Sequence, residues 1–186
     1  MKTALLIIDI QNDYFEEGLM PLPNAEQACE NARLVLDRFR EEYLPVVFVQ
    51  HIGIGPGATF FLPYTKGVQI HHHVEPLPHE KVVLKHYPNG FRETDLFGCL
   101  AFLGITDLVV CGMMTHMCID ATVRAARDFG YNCTLLGDAC ASMDLEIQGK
   151  VIRSDEIHDS FLAALNGYYA TVLPTHTYLE SKTKLL

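Results

Sequence analysis

Three side chains in this sequence could act together on a carbonyl carbon. Asp9 leaves the apolar run Ala4-Leu5-Leu6-Ile7-Ile8, Lys85 follows Val82-Val83-Leu84, and Cys118 ends the stretch Gly112-Met113-Met114-Thr115-His116-Met117-Cys118. They would supply an acid, a base and a nucleophile. A thiol at a helix N-terminus feels the positive end of the dipole, which lowers its pKa from ~8.5. A nearby lysine acts in the same direction. Cys118 is therefore expected to be an activated thiol. Each residue alone has a plainer explanation: Asp9 caps a turn, Lys85 snorkels from a strand end, and Cys118 is a buried small hydrophobe.

The elements that must position these residues follow from the apolar pattern. Strands are expected at Ala4–Ile8, Val46–Val49, Val82–Leu84, Leu108–Val110, Cys133–Leu136 and Ala170–Leu173. Ala28, Ala32, Val35, Leu36, Phe39 and Tyr43 recur at spacings of three and four, the signature of one helix face, with Asn24 as its N-cap and Pro45 beyond its end. Further helices begin at Thr94-Asp95, near Cys118 and at Ser154-Asp155-Glu156, and stop at Gly104, Gly130 and Gly167. Strands alternating with helices imply a three-layer α/β/α, Rossmann-like fold, its six-stranded parallel sheet flanked by helices. Ligands of such sheets bind at the carboxyl ends of the strands, where Asp9, Lys85 and Cys118 all fall. Residues 51–80 show no period and are rich in Gly, Pro and His, so a functional or partly ordered loop is expected there.

Composition narrows the function. The 186 residues suit a single domain spanning 1–186, and the apolar fraction of 49% argues against disorder. A net charge of −9 makes nucleic acid a poor partner. No apolar run is long enough to span a membrane. Asp9 interrupts the first apolar run and nothing like a cleavage site follows, so a cytoplasmic location is expected. The six scattered cysteines, with no Cys-x-x-Cys pair, fit a reducing compartment. The tail Glu180–Leu186 reads as frayed or docked on a partner subunit.

Three blocks together carry a family resemblance: Ala4 to Phe15, with Asp9, Gln11, Asp13 and Tyr14; Lys85-His-Tyr-Pro-Asn89-Gly-Phe91; and Cys111 to Tyr131 around Thr115 and Cys118. Over nearly its whole length the chain resembles the isochorismatase-like cysteine hydrolases, a family that includes nicotinamidases and other amide- and lactam-cleaving enzymes. The resemblance implies a catalytic triad of Asp9, Lys85 and Cys118. It implies a cis Met113–Met114 peptide, an oxyanion hole from the N–H groups of Met114 and Cys118, and pocket positions at Tyr14 and Phe91. His116 is a further pocket or proton-transfer candidate. Isochorismatases proper lack the nucleophilic cysteine, so Cys118 points to C–N cleavage of a small-molecule amide, lactam or carbamoyl compound through a thioester. The alternative is a catalytically silent member that binds a metabolite or partner. Nicotinamidases carry an Asp-x-His metal motif, whereas this chain reads Gln50-His51-Ile52-Gly53 there. No metal or other cofactor is expected, and His71-His72-His73 reads as a solvated loop. The family commonly forms dimers or larger homo-oligomers, which is the expectation here.

Overall fold

The computed structural model describes residues 2–183. Its main sheet contains six parallel strands: β1 (Thr3–Ile8), β2 (Val46–His51), β3 (Lys81–Lys85), β4 (Asp107–Met113), β5 (Asn132–Ala141) and β8 (Thr171–Leu173). Their order across the sheet is β3-β2-β1-β4-β5-β8. The helices are α1 (Ala25–Glu41), α2 (Leu96–Phe102), α3 (Asp120–Asp128), α4 (Ser154–Leu165) and α5 (Thr175–Thr183). This is the expected three-layer architecture.

β1 explains why its sequence is continuously apolar. It pairs with β2 on one side and β4 on the other, and residues 4–8 are all buried. Leu5 and Ile7 face the core under α1, together with Ala28, Ala32, Val35, Leu36 and Phe39. Ala4, Leu6 and Ile8 face the opposite core with Leu96, Leu100, Val123, Ala126 and Leu165. Alternate residues thus serve two cores, as in any strand covered on both faces.

Two elements were not anticipated. Between β5 and α4 the chain forms an antiparallel hairpin of β6 (Leu145–Ile147) and β7 (Lys150–Ile152). It turns at Gln148 and Gly149, both at positive φ, a pairing of conformations that matches the twist of hairpin strands. α5 occupies most of what reads as tail. Asp138 Oδ1 accepts from both the backbone N and the hydroxyl of Thr175 at 2.8 and 2.7 Å, fixing its start. Tyr178 stacks on Phe39 of α1 with ring centroids 6.5 Å apart. Lys184–Leu186, the end of the expected tail, lie outside the described residues.

The 51–80 segment is pinned by two side chains from just beyond β1. Gln11 Nε2 donates to the carbonyls of His51 and Val68 at 2.9 and 2.7 Å, while its Oε1 accepts from His51 N at 2.8 Å. Buried Asp13 accepts from Phe61 N at 2.6 Å and Leu19 N at 3.2 Å. A Cβ on Gly67 would stand 2.0 Å from Asp13 Oδ1, so only glycine fits where the loop crosses this carboxylate. The Gln-Asn-Asp sequence after β1 therefore holds the loop over the end of the sheet.

Candidate active site

The chain runs from β1 outward to β2 and β3, then returns across the sheet to place β4 on the other side of β1. Adjacent strands leading in opposite directions open a crevice at their carboxyl ends. Asp9 emerges there from β1 with φ 51, the left-handed region that Asp tolerates better than most residues. On β4, Gly112 has φ +131 and an added Cβ would lie 1.9 Å from the Ile8 carbonyl oxygen. Glycine thus lets the two strand ends close up. The next peptide bond, Met113–Met114, is cis. A wide turn over Thr115–Ile119 then leads into α3 and carries Cys118.

Lys85, the last residue of β3, reaches across to this crevice. Its Nζ lies 2.6 Å from Asp9 Oδ2, 3.2 Å from Cys118 Sγ and 2.8 Å from His51 Nδ1. The Lys85 and Asp9 side chains are fully buried, and Cys118 is 5% exposed. An ammonium has three N–H donors and no acceptor. The three neighbours use all three donors, so His51 accepts through Nδ1 and carries its proton on Nε2. Apart from the ion pair, neither Asp9 oxygen has a hydrogen-bond partner among the described residues.

The electrostatics correct one expectation. The Cys118 thiol is pushed up well above its ordinary pKa, not lowered. Burial is the largest cause and the Asp9 carboxylate adds to it. Lys85 pulls the other way but is outweighed. The helix-dipole argument failed because Cys118 sits inside the turn before α3, removed from water. Burial also opposes the charge on Lys85, yet Asp9 and Cys118 overcome it and hold the lysine above its usual pKa. His51 is lowered to about 4, first by burial and then by Lys85, so it is neutral at pH 7. The resting cluster is therefore an ion pair beside a neutral thiol and a neutral imidazole.

A carboxylate oxygen of Asp9, a ring nitrogen of His51 and Cys118 Sγ lie within 4.8 Å of one another, a spacing that could serve a metal ion. The donor set does not suit one here, because the Lys85 ammonium already occupies the cation position between all three.

The other expected site residues divide. Tyr14 is brought to the cluster. Burial first, and then the Cys118 and Asp9 charges, raise its hydroxyl pKa, and its ring packs against Phe60 and Phe61 at 5.9 and 4.7 Å. Phe91 makes its ring contacts away from Tyr14. Its ring meets Phe129 at 5.1 Å and Tyr131 at 6.2 Å, beyond the far end of α3 from Cys118. It packs against the hydrophobic cluster that also contains Cys118. His116 binds the Ser142 hydroxyl through Nδ1 at 2.6 Å. Thr115 donates to the Ala141 carbonyl at 3.1 Å and contacts His158 Nδ1 at 2.8 Å, tying the turn to the end of β5. The Met114 carbonyl accepts from Met117 N and Ile119 N, which folds the turn so that Met114 and Cys118 stand close in sequence and space.

Sequence reasoning missed His51 as a site residue. Its strand was ended two residues early, at Val49, although β2 extends to His51, which is in register with Lys85. His71 is also buried, not solvated, while His72 and His73 are exposed.

A buried lysine joining a carboxylate to a thiol at the edge of a parallel α/β sheet is the framework of a hydrolase-type site. The isochorismatase domain matches residues 3–176, and the chain belongs to the isochorismatase family. Bacillus subtilis YddQ, an isochorismatase family protein, is 53% identical over 97% of this chain and 100% of its own length. Streptothricin hydrolase of Streptomyces noursei is 39% identical over 76% of this chain and 50% of that protein. A crystal structure from Oleispira antarctica, described as an isochorismatase hydrolase, superposes with a TM-score of 0.93 at 44% identity, covering 96% of both chains. N-carbamoylsarcosine amidase from Thermoplasma acidophilum gives a TM-score of 0.79 at 25% identity, covering 94% of this chain and 97% of that one. At family level the protein is a hydrolase.

Proposed function

We propose that this protein is a cysteine amidohydrolase that cleaves a C–N bond of a small molecule (an amide, lactam or carbamoyl group) through a thioester on Cys118. The observation that carries this reading is the Lys85 ammonium within reach of both Asp9 and Cys118, with all three buried. The amidase among the structural neighbours supports the reaction class.

Cys118 Sγ attacks the carbonyl carbon as its proton passes to Asp9. The positive charge of Lys85 stays beside the sulfur, so the proton moves without changing the net charge of the buried cluster. The N–H groups of Met114 and Cys118 stabilise the oxyanion, a contribution of about 3–4 kcal/mol per donor in comparable sites. Protonated Asp9 then gives its proton to the leaving nitrogen, and the amine departs from the thioester. Water attacks the acyl carbon, Asp9 accepts its proton, and the departing sulfur is reprotonated. Tyr14, Phe60 and Phe61 form an aromatic wall suited to a substrate with an apolar or planar part.

The test is intact mass after incubation with small amides and lactams, on wild type and Cys118→Ala in parallel. A wild-type adduct absent from the variant is expected, and its mass gives the acyl group. Hydrolysis at a normal rate by Cys118→Ala would sink the covalent mechanism. Tight binding by both forms without turnover of any bound compound would favour a silent binding protein.

A further inference from the structure

A second cluster of ligating side chains lies apart from the triad, on the other core. Cys29, in the second turn of α1, points its sulfur at His71 Nδ1 over 3.6 Å. The ligating atoms of Cys29, His71 and His73 all lie within 4.8 Å of one another. Cys29 and His71 are buried, and His73 is exposed. The His71 ring is fixed by stacking on Phe15, with centroids 3.8 Å apart and planes 18° from parallel.

We propose that Cys29, His71 and His73 form a zinc site that clasps α1 to the loop covering the sheet edge. Zinc bonds of about 2.3 Å to sulfur and 2.0–2.1 Å to nitrogen, at a tetrahedral angle, separate the two donors by about 3.6 Å. The Cys29–His71 spacing therefore needs no rearrangement to accept the ion. One thiolate and two imidazoles are a borderline-soft donor set, which suits zinc better than magnesium or calcium. His71 also lines a cavity of about 560 Å³, together with Glu26, Phe15 and His72. Glu30 is already held by Arg33 through two hydrogen bonds of 2.6 and 3.0 Å, leaving Glu26 or solvent to complete the coordination.

His71 is lowered to about 4, chiefly by burial, so it is neutral and able to ligate at pH 7. The Cys29 thiol is pushed up to about 12, again chiefly by burial, so binding must expel its proton. The ion would also displace the long 3.4 Å contact from His73 N to His71 Nδ1. The consequence is mechanical. His71 N donates to the Ile10 carbonyl, next to Asp9, and Ile70 bridges Gln11. The metal would thus brace the same segment that shapes the crevice.

The experiment strips the full-length protein with a chelator and titrates it with Co²⁺, then Zn²⁺. One Co²⁺ per chain is expected, with the near-ultraviolet charge-transfer absorption of a thiolate ligand, and Zn²⁺ should displace it. The band should vanish in Cys29→Ala and persist in Cys118→Ala. His73→Ala removes an exposed ring without threatening the fold, and should weaken binding by at least about tenfold while the metal-free melting temperature stays unchanged. Absence of stoichiometric binding by wild type at tens of micromolar metal would overturn the proposal and leave Cys29–His71 as a buried hydrogen bond. A band that survives Cys29→Ala but not Cys118→Ala would also overturn it, placing the ion at the triad.

Discussion

Cys118 and Cys29 are both buried, both lie near a histidine, and both have a thiol raised by burial. Their surroundings are otherwise opposite. Cys118 has a proton acceptor, Asp9, and a compensating cation, Lys85, inside the same closed cluster. Its proton can move while the cluster's net charge stays fixed. Cys29 faces a neutral imidazole, and Glu26 and Glu30 raise its pKa further. Its thiolate would be an uncompensated buried anion unless a cation arrived from outside. The raised pKa of the free thiol therefore says little about reactivity. On the proposed roles, what separates the nucleophile from the metal ligand is whether the counter-charge is built into the fold or must be supplied.

The sharpest way to break this comparison is to remove the sulfurs one at a time. Cys118→Ala should lower turnover by on the order of 10⁴-fold or more, to background. Cys29→Ala should still form the acyl adduct, detectable by intact mass. Adduct formation lost in both variants would mean that the two thiols do not differ as argued.

Removing the built-in cation comes next. Lys85→Met should cost on the order of 10³-fold in kcat, because Asp9 and the sulfur lose their shared partner. It should also cost about 3–5 kcal/mol of stability in denaturant titrations, since the Asp9 carboxylate is left buried and unpaired. Adding Asp9→Asn to Lys85→Met should restore much of that stability and none of the activity. Equal stability of the single and double variants would show that the ion pair is not the buried couple described.

These residues were differently legible in the sequence. Asp9 and Lys85 could be placed because each directly follows an apolar run, the plainest strand signal, and Cys118 because it lies between such a run and a helix pattern. His51 could not, because Gln50 and His51 break the apolar run while the strand continues. The β6–β7 hairpin was invisible for a related reason: its three-residue strands are largely exposed and too short to establish a period. α5 was hidden because its docking rests on few residues, Tyr178 among them. The histidine run misled most. A hydrophilic triplet in a period-free loop reads as solvated, and only the fold shows that Gln11 and Asp13 pull this loop onto α1. The thiol expectation failed for want of burial, which no motif encodes.

A smaller effect distinguishes the two histidines by pH. Both His51 and His71 are lowered to about 4 in the folded protein, whereas an unfolded histidine titrates near ~6.5. As pH falls below about 6.5 the unfolded chain takes up protons that the folded chain refuses. Stability that is fully present above that pH is therefore lost progressively down to about 4. Melting temperature of the metal-free protein should fall across this window. His71→Phe, stacked on Phe15, should show a shallower fall. An unchanged slope would mean that His71 titrates normally and is not buried as described.

The finest comparison is between the two aromatic residues that the family resemblance assigned to one pocket. Tyr14 stands against Phe60 and Phe61 at the crevice, and burial first and then the neighbouring acidic groups raise its hydroxyl pKa. Phe91 packs with Phe129 and Tyr131 and is only half-buried. Once a substrate is in hand, Tyr14→Ala should raise KM by about tenfold, the loss of a contact worth ~1.4 kcal/mol, and, because Tyr14 is fully buried, should also cost about 3–5 kcal/mol in denaturant titrations. Phe91→Ala, at a half-buried ring, should cost a smaller amount, about 1–3 kcal/mol in denaturant titrations, and leave KM within about twofold. Stability falls in both variants, so KM is the property that separates them. A KM change in Phe91→Ala larger than in Tyr14→Ala would require the 86–95 segment to swing toward Cys118 when substrate binds. The aromatic wall would then be assembled from both edges of the crevice, not from the Tyr14 side alone.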